Sequence, residues 1–423
     1  MPSAIYTYLM SRSEPTASRR PRTPSAQRPR VALALAGGGP LGATFEIGAI
    51  CALADTLDGL DLNGCDHYVG VSAGGFVAAA LANGITPRAL CATFIEGTGE
   101  DAQGFDPGDL MRPAYAEIAR RAVALPGLLV DAAWDVLTRK PLSRALERLG
   151  PALPTGLLDN EAVHRQLQHL FEQPGRSNDF RQLHTRLTLV ATHLNSGQAT
   201  PFGRPGWDHV PISRAVQASA ALPGLFPPVA IDGEHYVDGA LKKTVHATVA
   251  LDEGMDLLLC LNPLVPFDAS RPQRRLSPRI PSLVDGGLPA VMSQTFRALI
   301  HSRMALGFKH YERLYPHTDI LLIEPEPHDA ELFFANTFSY HQRREMAEHV
   351  YQQTLQWLRQ RRASLRPQLA RHGITLRDAV LDEPQRHLLA PARPRHRLGQ
   401  ALARLQDTVD ELQHTLNQRG ALV

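Results

Sequence analysis

The chain has 423 residues, 43% of them hydrophobic and 20% charged, with a formal net charge of +2 at neutral pH. That balance describes a globular chain of one large domain or two ordinary ones, and it offers no global field for nucleic acid or an anionic lipid surface. The four cysteines, Cys51, Cys65, Cys91 and Cys260, form no CxxC pair, so neither disulfides nor a structural zinc is expected, and a reducing, cytoplasmic setting is the default.

No apolar run reaches the length of a transmembrane helix. Residues 11–30, SRSEPTASRRPRTPSAQRPR, are rich in Ser, Pro and Arg with a single acid. Residues 1–30 therefore read as a disordered leader, although transit peptides share that composition. Order is expected from Val31. RVALALA is a short apolar run closed by glycines, the mark of a buried strand. Phe45, Ile47, Ile50, Leu53 and Leu57 repeat at helical spacing over Thr44–Leu57. DHYVGV (66–71) is a second buried strand, and GGFVAAALANG (74–84) is an Ala-rich helix stopped by Asn83 and Gly84. Strand, loop, helix, strand, turn and helix in about fifty residues imply a βαβ unit with parallel strands.

Residues 100–180 read as an all-helical insertion, its periodicity broken at Pro126–Gly127. Its helices suit plain packing and an acyl-chain wall or lid equally well. Strands are expected again at 186–194, 233–241 and 256–264. Residues 266–282 are rich in Pro and Arg. The stretch 263–362 reads as a mainly helical extension and 363–397 as an Arg/Pro-rich linker. In the final segment, 398–423, Leu398, Leu402, Leu405, Val409, Leu412 and Leu416 step by four and three. That is a short heptad seam, suited to an amphipathic helix docking on the body or on a second copy to give a homo-oligomer.

Gly37-Gly38-Gly39-Pro40-Leu41-Gly42 follows a strand and opens a helix. This satisfies the dinucleotide fingerprint G-x-G-x-x-G, with backbone N–H groups at a helix N-terminus attracting a phosphate. The acid that such a site needs about twenty residues on is poorly supplied, since Asp58 and Asp61 lie in a loop. The same geometry can instead receive an oxyanion, each donor lowering a barrier by about 3–4 kcal/mol.

A nucleophile for that second reading stands at Gly70-Val71-Ser72-Ala73-Gly74, a G-x-S-x-G between a strand and a helix. The hydroxyl needs a base. His310, His317, His328 and His341 fall in helical or charged stretches, and His193, His235 and His246, nearer the sheet, read as structural. Asp238, at the end of the extended EHYVD, is the better base if burial raises its basicity, although Asp-Gly is also a common turn.

In this order the blocks resemble the patatin-like phospholipase family. The glycine run resembles its oxyanion loop, the Ser72 block its nucleophile elbow, and Asp238-Gly239-Ala240 the motif that supplies the aspartate of its Ser–Asp dyad. ASAALPGLFPPV (218–229) is similar to the A-S-x-A-x-P-x-x-F-P-P segment that precedes that aspartate. The resemblance covers about residues 31–262. It implies an α/β/α sandwich with a central, mostly parallel sheet, and a lipid acyl hydrolase acting through an acyl-serine.

The implied catalytic pair is Ser72 and Asp238. Gly37, Gly38 and Gly39 are the implied oxyanion donors, with Gly42 completing the loop and Gly70 and Gly74 flanking the elbow. No metal and no nucleotide cofactor are implied. The partner is a lipid or phospholipid met at a membrane periphery. Leu41 departs from the family's usual Arg or Lys, which implies a preference shifted away from charged head groups, or weaker activity. Two other readings stand beside this one: a nucleotide-binding oxidoreductase using the glycine loop, and an inert scaffold acting through its C-terminal helix.

Overall fold

The computed structural model describes residues 28–98, 112–138, 149–269, 282–334 and 340–389. The expected leader and the 398–423 heptads lie outside the described residues. The first strand, β1 (Val31–Leu35), sits inside the sheet, and its neighbours explain its unbroken apolar run. Successive side chains of a strand face opposite ways. Leu33 and Leu35 enter one core with Phe45 and Ile50 of α1 (Gly39–Thr56) and Val350 and Tyr351 of α7 (Tyr340–Ala370). Ala32, Ala34 and Ala36 enter the other, facing Met304 and Tyr311 of α6 (Gly287–Leu314). Both faces are covered, giving the three-layer α/β/α sandwich.

The sheet also contains β2 (His67–Gly70), β3 (Arg186–His193), β4 (Ala199–Phe202), β5 (Val229–Ile231), β6 (Glu234–Asp238), β7 (Leu257–Leu261) and β8 (Asp319–Ile323). β1 pairs parallel with β2 and β7, β2 with β3, and β7 with β8; β4, β5 and β6 are antiparallel additions. The remaining helices used below are α2 (Ala73–Ala82), α3 (Tyr115–Leu137), α4 (Glu161–Phe171) and α5 (Ile212–Ser219).

One detail of register positions the site. Leu189 pairs with Gly70 of β2 and with Phe202 of β4, so β2 and β4 occupy opposite edges of β3. Ala191 pairs with Thr200 of β4 and Asp238 of β6, so β6 is also opposite β4. β2 and β6 therefore share one edge of β3. They run head-on along it, and their C-terminal ends meet beside Val190.

Two expectations need correction. Pro126 does not break its helix: α3 runs through it from Tyr115 to Leu137. An interior proline removes one backbone bond and adds a ring clash, costing about 3 kcal/mol, which the other turns of so long a helix outweigh. Nor is the stretch from 363 a linker as far as 389. Leu365, Leu369, Ile374, Leu381, Leu388 and Leu389 are buried in the α1/α7 core, and Thr375–Leu376 pairs antiparallel with Leu57–Asp58. Its arginines belong to ion pairs: Arg366 with Asp378, Arg371 with Asp319, Arg377 with Asp58 and Arg386 with Asp55. Among the described residues no helix is long and apolar enough to cross a membrane.

Candidate active site

β1 ends by donating the Ala36 N–H to the Leu261 carbonyl (3.1 Å), and the chain then enters the glycine loop. Gly38 and Gly39 have φ of 149° and 61°, a region that side chains rarely adopt, and α1 starts at Gly39 rather than at Thr44. A Cβ on Gly38 would stand 2.9 Å from the Gly42 Cα, and one on Gly37 would stand 3.0 Å from Cβ and 3.6 Å from Oγ of Ser72. The loop is thus folded tightly on itself and lies directly against the serine. Among the described residues the N–H groups of Gly37, Gly38 and Gly39 make no hydrogen bond. They add to the positive end of the α1 dipole.

Beyond β2, the Val71 N–H bonds the Leu35 carbonyl (3.1 Å), and Ser72 turns the chain into α2 with φ 54° and ψ −123°. Positive φ in a residue other than glycine is strained and persists only where its surroundings hold it. Here a Cβ on Gly70 would come 2.5 Å from the Gly75 Cα, and one on Gly74 would come 2.5 Å from the Leu35 carbonyl carbon. The Ser72 N–H donates to Ser219 Oγ (2.8 Å), which in turn donates to the Val190 carbonyl (2.6 Å). Ser219 is a support that the motif reading did not assign, although it stands in the ASAALPG block.

Asp238 closes β6. Its N–H bonds the Ala221 carbonyl (3.0 Å), its carbonyl accepts from Thr192 Oγ1 (3.0 Å), and Oδ1 accepts the Ala240 N–H (2.8 Å). The residue is 3% exposed, and its carboxyl lies beside the Ser72 hydroxyl. Burial pushes the Asp238 carboxyl up to about 6, against the opposite pull of the Ala240 N–H and the Ser72 hydroxyl. A Cβ on Gly239 would strike the Val190 carbonyl oxygen and come 3.1 Å from Val71 Cγ1, so the strands meet as closely as a glycine allows.

Histidine takes no part in this junction. Among the described residues none bonds Ser72 or Asp238. His246 is buried with Nε2 3.2 Å from the Gly239 carbonyl, and burial lowers it to about 4, keeping it neutral. His193 pairs with Glu234, His301 lies near Glu324, and His235, His310 and His317 are exposed. Leu41 is half-buried against the α1 core, so no cation stands at that position of the loop.

The arrangement holds a strained hydroxyl, a buried carboxyl of raised basicity and three free amide donors at the C-terminal edge of the sheet. Such a set can attack a carbonyl, accept the proton and stabilise the resulting oxyanion.

A family model for patatin-like phospholipases matches residues 33–251, just over half of the chain. Among solved structures, the chain is similar to VipD from Legionella pneumophila, with 17% identity over 79% of this chain and 68% of that one and a TM-score of 0.36. It is also similar to a chain of the heterodimeric ExoU-SpcU complex from the type III secretion system of Pseudomonas aeruginosa. There the identity is 19% over 78% of this chain and 52% of that one, with a TM-score of 0.26. The chain therefore spans about half the length of that second protein.

Proposed function

The chain belongs to the patatin-like phospholipase family, and from that premise we propose that it hydrolyses carboxylic esters of lipids through Ser72 and Asp238. Ser72 Oγ attacks the ester carbonyl carbon while its proton passes to the Asp238 carboxylate. The carbonyl oxygen becomes an oxyanion held by the N–H groups of Gly37, Gly38 and Gly39. As the tetrahedral species collapses, the bond to the leaving oxygen breaks and Asp238 returns the proton to it, releasing the alcohol and leaving an acyl-serine. Water then attacks that ester as Asp238 takes its proton, and collapse frees the fatty acid while Asp238 returns the proton to Ser72 Oγ, restoring both residues.

The observation that carries this reading is the register that ends the Ser72 and Asp238 strands head-on beside Val190, with the glycine loop packed against the serine and the carboxyl buried. Labelling with a fluorophosphonate probe tests it. The wild type should be modified, Ser72→Ala should not, and Asp238→Asn should react far more slowly. Labelling that survives in Ser72→Ala, or thermal stabilisation by NAD(H) with Ser72 unreactive, would return the glycine loop to the nucleotide-binding reading.

A further inference from the structure

The glycine loop does not stand alone; a segment after β7 backs it, and α6 grips that segment. The ring of Pro263 lies against the loop, where a Cβ on Gly38 would come 3.0 Å from its Cγ and one on Gly42 3.2 Å. Arg297, on α6, donates through Nη1 to the carbonyls of Pro263 (3.1 Å) and Val265 (3.4 Å). Three residues earlier on the same helix, Gln294 bonds both the N–H and the carbonyl of Phe267 (3.0 and 2.7 Å).

Arg297 is 8% exposed, and its guanidinium lies 5.2 Å from the centre of the Phe333 ring. No carboxylate pairs with it among the described residues, and burial lowers its pKa to about 10, so it stays charged at neutral pH. Burying an uncompensated cation is costly, and a clamp of carbonyl groups does not require one, as Gln294 beside it demonstrates. The charge is kept where two carbonyls can be bound by one planar group and where the segment they belong to touches the loop.

We propose that Arg297 is a positioning residue for the oxyanion loop: by fixing Pro263 it holds Gly37, Gly38 and Gly39 with their N–H groups turned toward Ser72. The inference rests on the reading of those glycines as oxyanion donors. A carbonyl clamp released at Arg297 lets the Pro263 ring retreat, and the loop gains room to move away from the serine. Displacing donors by a fraction of an ångström weakens transition-state binding more than substrate binding, so the loss falls on kcat.

The test compares Arg297→Met, Arg297→Lys, Pro263→Ala and the Arg297→Met/Pro263→Ala double variant on a soluble short-chain 4-nitrophenyl ester. Arg297→Met should lower kcat roughly 10- to 100-fold with KM within about threefold. Pro263→Ala should act alike, the double variant should be no worse than the worse single one, and Arg297→Lys should recover part of the loss. Hydrogen–deuterium exchange of peptides covering residues 36–45 reads the loop without needing turnover, and should quicken in Arg297→Met. Wild-type inactivity toward every ester would sink the hydrolase reading and leave the exchange result to judge the clamp. An unchanged exchange rate, or kcat losses that multiply in the double variant, would overturn the role of Arg297.

Discussion

Ser72 and Asp238 lie 166 residues apart in sequence but follow the ends of two strands that collide along one edge of β3, facing Val190. Under the proposed mechanism, the collision explains why two residues would suffice. β2 delivers the serine travelling with β3, β6 delivers the carboxylate travelling against it, and both must leave the edge where they meet. Val190 gives the junction its anchor, since its carbonyl accepts from Ser219 and leaves room only for glycine at 239. A base on a long side chain reaching in from a loop is not needed when the sheet itself brings a short carboxylate to the hydroxyl.

The raised basicity of Asp238 fixes a pH dependence for both activity and stability. Only the ionised carboxylate can take the serine proton, so kcat/KM should fall on the acid side through about 6, to roughly a tenth at pH 5. Stability runs the opposite way. The folded state favours the neutral acid, so the stabilising contribution is complete below the unfolded value of 3.8 and is lost as pH rises through about 6. The ionised group then costs the fold about 3 kcal/mol at pH 8. Asp238→Asn should be inactive but relatively more stable at pH 8 than at pH 4. A flat wild-type activity profile between pH 5 and 8, with denaturation midpoints of the variant unmoved, would contradict the assignment.

Part of this site was legible in the sequence because its signals are local. A glycine-flanked serine between an apolar strand and an Ala-rich helix can be read from ten residues, and so can a glycine run opening a helix. Asp238 was legible only as an Asp-Gly step until its order among the other blocks was considered, because the head-on meeting of β2 and β6 is a long-range pairing. Ser219, Pro263 and Arg297 could not be weighed at all, since a serine or arginine shows its partners only after the chain has folded. Local composition also misled. Pro126 suggested a break that neighbouring turns override, and the arginines after 363 suggested a linker although acids from distant elements pair with them.

Ser219→Ala tests how firmly the elbow is held. The hydroxyl accepts the strained Ser72 N–H and passes a bond on to Val190, so its removal leaves a buried donor and a buried acceptor unpaired. The expected cost is about 1–3 kcal/mol of stability. Activity should fall further than stability implies, because the relaxed elbow no longer holds Ser72 in its strained turn against the glycine loop. Urea unfolding and ester turnover measured on one preparation compare the two; a variant as stable and as active as the wild type would remove Ser219 from the account.

Glu46 is a second buried acid, on α1 behind the glycine loop. It is completely buried, and among the described residues neither oxygen finds a hydrogen bond of ordinary geometry. Desolvation holds its pKa well above 4.5, and the nearby Ala36 backbone offsets this only in part. The folded protein therefore prefers the neutral acid, and Glu46 destabilises it increasingly as pH rises above the unfolded value. Glu46→Met should gain about 1–3 kcal/mol at pH 8 and much less at pH 4.5. Unfolding midpoints at the two pH values decide the matter, and a variant less stable at pH 8 than the wild type would show that the carboxyl has a partner worth keeping.

The last prediction concerns α3, whose solvent-facing side is unusually apolar. Val123, Val130, Trp134 and Leu137 are 83%, 68%, 64% and 75% exposed, and their steps of seven, four and three put them on one face, while Leu128 is half-buried. Water is a poor neighbour for such a face, and an enzyme whose substrate resides in aggregates has a ready use for it. Sinking two of these side chains into lipid is worth about 3 kcal/mol, or roughly 100-fold in partitioning. Val130→Glu combined with Trp134→Glu should therefore cut binding to phosphatidylcholine vesicles and hydrolysis of their lipids by at least ~10-fold, since two charges must also be kept in water. Turnover of a soluble short-chain ester should stay within about twofold, because exposed substitutions rarely shift stability by more than ~0.5 kcal/mol. Vesicle sedimentation alongside both assays separates the outcomes. An equal loss on both substrates would mean that the face supports the fold or the site, and vesicle binding that survives intact would mean that lipid is met elsewhere on the surface.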